Sequence, residues 1–390
     1  MIPYGKHYID TKDIESVKWL LKNSSLTQGP LINKFEKAIA KYVGSKFAVA
    51  VSSCTAGLHL SLLATGFKKS NLMVTSPITF VSSANAALYA GGKPLFSDVD
   101  EKTINLCPKK LEKKLINNKK IKFVMPVHFG GYPCNMKLIS KICKKYNVKV
   151  IEDAAHALGA NYENGSKVGC CKYSSTTVFS LHPVKTIAAG EGGVITTNNE
   201  KIYKKLLRLR SHGINKLNDK FQFKKNAYTK NRFNPWYYEM QELGFHYRIT
   251  EIQCALAISQ LKKINKFINK RKNLSKFYNS KFKNSKKIKP LYNFSNSGSS
   301  NHLYIIRINF EQLKISRAEI MHRLKSKGIG SQVHYIPIPD HPYYKKMGFN
   351  SSDYPNAQLY YKQALTIPLF YKLSKKQQNY IVQSIKEIIE

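Results

Sequence analysis

The sequence predicts an α/β protein, with a large unit built on a seven-stranded, mostly parallel sheet and a smaller α/β unit after it. Three observations lead there. The first two hundred residues alternate short apolar or β-branched runs with amphipathic stretches at helical spacing. The apolar runs are nearly continuous, as strands covered on both faces are. From residue 303 onward a strand–helix pattern returns on a smaller scale.

The elements follow in order. Helical patterns at 13–22 and 31–43 precede the sheet, and Pro30 sits after the turn Gln28-Gly29, where a first-turn proline is tolerated. Strands are expected at 47–53, 72–76, 94–99, 122–128, 148–153, 176–181 and 193–197. Helices at 55–65, 81–89, 108–117 and 136–146 lie between them, which implies right-handed crossovers. A further helix spans 201–211. The stretch 213–244 is polar and aromatic without a period, and loops of that length serve function or pack on a partner. One long helix is expected over 250–277, with Ile252, Leu256, Ile258 and Leu261 among its apolar positions. The polar stretch 284–300 reads as a linker or exposed loop. Strands at 303–310 and 331–335 and helices at 317–327 and 375–389 complete the chain. The expected division is a large domain over 1–255, N-terminal helices included, and a small one over 256–390.

Composition narrows the function. The chain of 390 residues has 64 Lys+Arg against 23 Asp+Glu, a formal net charge of +41. Its 43% hydrophobic and 12% aromatic content excludes global disorder. No apolar run approaches the roughly 18 residues of a membrane span. Met1-Ile2-Pro3-Tyr4-Gly5 does not begin a secretory leader, so a cytoplasmic protein is expected. The seven cysteines are odd in number and form no C-x-x-C pair, which points to reduced thiols and no metal site. The lysines are spread in pairs such as Lys113-Lys114 and Lys262-Lys263, beside apolar residues at helical spacing. A specific nucleic-acid binder concentrates its charge instead. The positive field favours small anionic substrates.

Ligands of an open parallel sheet bind at the carboxyl ends of its strands, and three strand ends carry reactive residues. Ser52-Ser53-Cys54-Thr55-Ala56-Gly57 ends a strand and opens a helix, whose N-terminus either holds a phosphate or is simply capped by Ser53 or Thr55. Ile151-Glu152-Asp153-Ala154-Ala155-His156 sets two carboxylates and an imidazole at another end; metal binding, acid–base work, cofactor orientation and plain capping all fit. Phe179-Ser180-Leu181-His182-Pro183-Val184-Lys185, followed by Gly190-Glu191-Gly192-Gly193, places a lysine just past a buried strand. Desolvation there lowers a lysine from its usual pKa of about 10.4 and suits Schiff-base chemistry. An amine, a carboxylate and a phosphate turn are the three requirements of pyridoxal phosphate.

These motifs, together with Leu26-Thr27-Gln28-Gly29-Pro30, Ser76-Pro77-Ile78-Thr79-Phe80-Val81 and Arg208-Leu209-Arg210-Ser211-His212-Gly213, resemble the pyridoxal-phosphate-dependent sugar-nucleotide aminotransferases. That family is a branch of the aspartate aminotransferase fold type, and the resemblance spans essentially the whole chain. Finer features, the segment 235–245 and Gln332-Val333-His334-Tyr335-Ile336-Pro337, are similar to the 4-aminotransferases of pseudaminic acid biosynthesis.

The resemblance implies a UDP-linked 4-keto-6-deoxy-N-acetylhexosamine as acceptor, L-glutamate as donor, and a homodimer with shared sites. It implies that Lys185 holds the cofactor covalently and later moves the proton, that Asp153 pairs with the ring nitrogen, and that Phe80 stacks on the ring. His156 would approach the ring oxygen. The backbone at Cys54, Thr55 and Ala56, with Ser180, would hold the phosphate. His246 stands where many relatives have Asn and would reach the partner's phosphate. Tyr4, Ser25, Leu26, Thr27, His302 and His334 are the implied substrate contacts. Lys185 separates the chain from similar dehydratases, which carry histidine there. The alternatives are another nucleotide-linked keto sugar, or an idle basic binding protein on the same scaffold.

Overall fold

The computed structural model describes residues 1–215, 220–292 and 298–389. Its main sheet has the seven expected strands: β1 (Phe47–Val51), β2 (Leu72–Thr75), β3 (Lys93–Phe96), β4 (Ile121–Met125), β5 (Lys149–Asp153), β6 (Thr176–Ser180) and β7 (Gly193–Thr197). They lie in the order β1-β7-β6-β5-β4-β2-β3. Only β7 runs antiparallel to its neighbours. No helix lies between β6 and β7, and without a crossover the chain can only return antiparallel.

Helices α1 (Thr11–Asn23) and α2 (Pro30–Val43) precede the sheet, and α3 (Cys54–Ala64), α4 (Ser82–Tyr89), α5 (Pro108–Asn117), α6 (Met136–Lys145) and α7 (Glu200–Arg210) follow along it. They cover both faces. Phe35 and Ile39 of α2, Leu111 of α5 and Ile139 of α6 pack with Ala50, Val74, Val124 and Val150. Leu58 and Leu62 of α3, Ala87 of α4 and Leu206 of α7 pack with Val49, Met73, Phe123 and Ile151. Adjacent residues of one strand, such as Val150 and Ile151, thus serve opposite cores.

Helix α3 is apolar nearly all round and is correspondingly buried. Its Gly57 rides on β6, where a Cβ would come within 2.7 Å of Val178 Cγ1. That close approach seats the helix N-terminus against the sheet edge. Helix α2 is capped from outside. The buried Glu251 carboxylate accepts from Leu31 N at 2.8 Å and Ile32 N at 3.0 Å, satisfying N–H groups that no residue of the helix itself can reach.

The expected single helix over 250–277 is two, Glu251–Leu261 and Ile264–Phe282. Between them Lys263 turns back to α1, and its ammonium meets Asp10 at 2.8 Å and Asp13 at 2.5 Å. Residues through Phe267 belong to the first core, and from Leu274 they belong to a second. The second core covers an antiparallel sheet of Ile288–Pro290, Tyr304–Ile308 and Ala364–Ile367, packed by the helices Arg317–Ser326 and Lys375–Ile389.

Two strand expectations need correction. Residues 331–335 form no strand; only Gln332 bridges to Thr366, after which the chain turns toward the main sheet and Ile338 N bonds Pro77 O. The stretch 284–300, expected as loop, contributes the edge strand Ile288–Pro290, while 293–297 lie outside the described residues. The 213–244 excursion holds only short elements, including two paired-strand ribbons; 216–219 also lie outside the described residues.

A buried polar knot anchors the strand ends. Glu152 of β5 accepts from Tyr162 Oη at 2.6 Å, Thr177 Oγ1 at 3.1 Å and Ser174 Oγ, and pairs with His128 Nε2 at 2.9 Å. Neither partner of the ion pair is exposed. Burial opposes the charge on His128, yet Cys134 and Glu152 raise its pKa on balance. Burial likewise opposes ionisation of Glu152, and the His128 hydrogen bond leads the groups that lower it. Removing one partner strands a buried charge. His128→Ala is expected to lower unfolding free energy by about 3–5 kcal/mol, measured by denaturant titration.

Candidate active site

The carboxyl ends of β1, β2, β4, β5 and β6 open into one cleft of about 700 Å³. It is lined by Ser53, Cys54 and Thr55 after β1, Phe80 after β2, Asp153 and His156 at β5, and Ser180 and Lys185 at β6. Tyr4, His302, His334 and Tyr335 close it from elsewhere in the chain. A larger groove of about 930 Å³ runs along the outer strand near Lys289 and Lys102. It holds none of the expected site residues, whereas the cleft sits where ligands of parallel sheets bind.

Strand alternation separates the two carboxylates. Glu152 faces the polar knot, and Asp153 faces the cleft, 3% exposed. Asp153 accepts from Ser83 Oγ at 2.6 Å and from Ala155 N at 3.1 Å. Thr79 meets Ser83 at 2.7 Å. The carboxylate is therefore held from two sides. Burial brings the pKa of Lys185 down to about 8, against the opposing influence of Cys54 and Asp153.

At the start of α3, Ser53 caps the helix, its Oγ accepting from Ala56 N at 3.0 Å. Ala56 does not line the cleft, so its N–H serves the cap. The N–H groups of Cys54 and Thr55 meet no acceptor among the described residues and lie at the positive end of the helix. Buried Ser180 stands nearby, with His182 N on its Oγ at 3.4 Å. The cluster has the free donors and the positive helix end that would suit a phosphate.

Three of the imidazoles that line the cleft, His156, His302 and His334, are held neutral. Burial first, then the charges of Lys185 and His334, keep His156 well below the usual histidine range. His302 is lowered by burial, His156, Lys185, Arg271 and His334. His334 is lowered to about 3 by burial and Lys185, and its Nδ1 lies 2.9 Å from Thr366 Oγ1. His302 Nδ1 is buried with no partner among the described residues. The Tyr4 ring stands 5.5 Å from His334. Phe80, 58% exposed, offers a bare ring face to the cleft.

Besides Ala56, four expected site residues do not line the cleft of the single chain. Ser25, Leu26 and Thr27 lie on the α1–α2 connection, where Leu26 O accepts from Glu251 N. His246 stacks on His212, with centroids 5.3 Å apart. Sequence reasoning missed Ser83 and Thr79. Their signal was present: small polar residues four apart, flanking Phe80 at the start of α4.

Pyridoxal phosphate fits these residues. The set offers a lowered amine, an oriented carboxylate and unpartnered N–H donors at a helix start. A fold of this kind with this site is that of a PLP-dependent aminotransferase. The comparisons agree. The DegT/DnrJ/EryC1/StrS aminotransferase family matches residues 7–386, and the chain belongs to it. A Campylobacter jejuni UDP-4-amino-4,6-dideoxy-N-acetyl-beta-L-altrosamine transaminase is 37% identical over 391 residues, covering 100% of this chain and 98% of that protein. The structure of Helicobacter pylori PseC, an aminotransferase of pseudaminic acid biosynthesis, superposes with a TM-score of 0.89 at 30% identity, covering 99% of this chain and 98% of that one. Streptococcus pneumoniae Spr1654, described as a sugar aminotransferase, superposes in its PMP form with a TM-score of 0.89 at 27% identity, covering 100% and 99%; its PLP form is similar. The protein is a PLP-dependent sugar aminotransferase of the aspartate aminotransferase fold type.

Cofactor capture requires a neutral amine. With a pKa of about 8, roughly a tenth of Lys185 is neutral at pH 7, against well under a thousandth for an ordinary lysine. The rate of holoenzyme formation from apoenzyme is expected to rise with pH through about 8 and then level off. Stopped-flow absorbance after mixing with pyridoxal phosphate checks this; a rise continuing to pH 10 contradicts it.

Proposed function

We propose that the enzyme moves an amino group from L-glutamate to the C4 ketone of a UDP-linked 4-keto-6-deoxy-N-acetylhexosamine, giving UDP-4-amino-4,6-dideoxy-N-acetyl-beta-L-altrosamine for pseudaminic acid biosynthesis. It does so as a cytoplasmic homodimer with shared sites. The observation that carries this reading is the full-length similarity to the Campylobacter jejuni transaminase of that name. Lys185 and Asp153, both in place, argue against an idle scaffold. Among the described residues no helix is long and apolar enough to cross a membrane.

When bound, pyridoxal phosphate supplies an aldehyde that takes up amino groups and a ring that withdraws electrons. The chain's residues do the rest. Lys185 Nζ would hold the cofactor at its aldehyde carbon and, when free, would hold and move a proton. Asp153, steadied by Ser83 and Ala155 N–H, would pair with the ring nitrogen. Cys54 N, Thr55 N and Ser180 Oγ would hold the phosphate. Phe80 would stack on the ring. Tyr4, His302 and His334 line the remaining cleft wall, where neutral imidazoles suit a sugar's hydroxyl and amide groups. Ser25, Leu26 and Thr27 are proposed to contact the substrate from the α1–α2 connection. The homodimer reading draws on the excursion after residue 220. Its Phe223, Trp236, Tyr238, Met240 and Leu243 are all exposed, an apolar display typical of interfaces. His246, beside it, is proposed to reach the partner's phosphate.

Lys185→Ala is expected to abolish turnover while circular dichroism and thermal unfolding stay near wild type; substantial residual turnover contradicts the assignment. Asp153→Asn is expected to cut the turnover number by at least about a hundredfold, in the range of lost acid–base catalysis. The sugar is tested with enzyme converted by glutamate to the amine form and mixed with a panel of nucleotide 4-keto sugars. Rapid return of the cofactor absorbance with the UDP-linked 4-keto-6-deoxy-N-acetyl-L-sugar alone is expected. Return with another sugar instead removes the pseudaminic reading and keeps the aminotransferase.

A further inference from the structure

The groove along the outer strand of the second sheet gathers positive charge that nothing in the chain neutralises. Ile288, Ile306 and Ile308 point into the second core, so strand alternation turns Lys289 and Arg307 to the opposite face. The two are direct partners in the antiparallel register, and both line the groove. Like charges set opposite each other across a strand pair repel. Lys102, from the connection between β3 and α5, adds a third cation from the large unit. Arg307 is pinned in place: its Nε donates to Gln363 Oε1 at 3.0 Å and its Nη1 to the Glu101 carbonyl at 3.3 Å. Both acceptors are uncharged, and Nη2 has no acceptor among the described residues. The one carboxylate among the lining residues, Glu101, acts on Arg307 only through space. Edge strands often carry lysine to discourage pairing with another chain. That explains Lys289 but not Arg307, which lies on the middle strand of the sheet. The edge is also closed already. Pro290 has no N–H to offer, and Ile288 N bonds Ser285 Oγ at 3.1 Å.

We propose that this groove is a second binding site, for a nucleoside diphosphate, separate from the active cleft. Lys102, Lys289 and Arg307 take the two phosphates. Pro290, Leu313 and Leu359 form an apolar wall for the base, and Leu359 stands 40% exposed at its lip. The cavity of about 930 Å³ is of the size that small-molecule ligands occupy. A nucleic-acid strand needs cations spaced along its backbone. Here they converge in one groove, which suits a compact polyanion. The diffuse field of the chain raises the local concentration of such an anion, and Arg307, half-buried and held by two hydrogen bonds, gives it a fixed partner. Lys102 belongs to the large unit and Lys289 and Arg307 to the smaller one, so the ligand bridges them.

The groove and the active cleft share no lining residue, so the second site stands whatever the sugar. Its test uses the holoenzyme, ADP as probe, and the variants Lys289→Glu and Lys102→Glu, which reverse an exposed charge on each unit. ADP that enters the cleft contributes equally to all three proteins, so the difference between them reports the groove. Isothermal titration is expected to find a site whose affinity falls by about tenfold or more in each variant, the loss of one charge-assisted contact. Turnover is expected to stay at the wild-type level. ADP is also expected to raise the unfolding temperature of the wild type more than that of either variant. Equal affinity in all three proteins, or no ADP binding at all, overturns the proposal. Inorganic pyrophosphate binding as tightly as ADP overturns the nucleoside assignment. A single-stranded oligonucleotide that binds more tightly than ADP, and is weakened by the same variants, overturns it in favour of nucleic acid. Lys289→Glu relieves the repulsion with Arg307 and is expected to fold at least as stably as the wild type. Should it fail to fold, Lys102→Glu decides alone: weakened ADP binding supports the site, and unchanged binding overturns it.

Discussion

The site depends on one juxtaposition: a lysine amine and a carboxylate brought together from two adjacent parallel strands. Asp153 is the last residue of β5, and Lys185 follows β6 by a short turn. In register, Asp153 pairs with Val178 of β6, so both chain ends leave the sheet side by side. Each charge is costly to bury alone. Each lowers the cost of the other, yet burial still wins at the amine, which falls to about 8. A stronger pairing would leave the lysine permanently charged and unreactive. A weaker one would leave Asp153 buried with less compensation. The antiparallel return of β7 belongs to the same arrangement, because the segment between β6 and β7 is the one that carries Lys185.

Around that pair the cleft carries little fixed charge. His156, His302 and His334 are neutral, and the groups proposed to hold the phosphate are backbone N–H groups and a hydroxyl. Neutral imidazoles hold their tautomers, so each ring nitrogen has a defined role as donor or acceptor. At His156 that role is set by Gly130, well outside the reacting atoms. The Glu152–His128 knot does comparable work on the other side of β5. It confines ionic pairing to the sheet interior, and strand alternation keeps it away from Asp153.

Much of this was legible in the sequence. The seven strands were marked by continuous apolar runs, because a sheet covered on both faces leaves little room for polar residues. Lys185, Asp153 and the Ser53–Thr55 turn were legible because strand ends are where reactive residues concentrate. Periodicity alone did not separate the helix at 250–277 into two, since the break comes from Lys263 reaching Asp10 and Asp13, some 250 positions earlier in the chain. The strand expected at 331–335 failed for a related reason. Its alternation is real, but after Gln332 those side chains serve the cleft, and the sheet takes Ala364–Ile367 instead. Ser83 escaped notice because a serine near a helix start ordinarily reads as a cap. Only the fold shows its hydroxyl on Asp153.

The net charge of +41 was the strongest compositional signal and the least informative about the site. In α5, Lys110 pairs with Asp98 and Lys114 bonds the Phe96 carbonyl, away from the cleft. In the cleft, the groups proposed to meet the phosphate, Cys54 N, Thr55 N and Ser180, stand at fixed positions. The two scales act on different quantities. A diffuse positive field raises the encounter rate of a nucleotide diphosphate and weakens with salt over about 8–10 Å. Oriented N–H donors in a partly dry cleft fix where the phosphate rests, and they are screened far less. The surface charge can therefore drift without altering the chemistry, while the few residues after β1, β5 and β6 cannot.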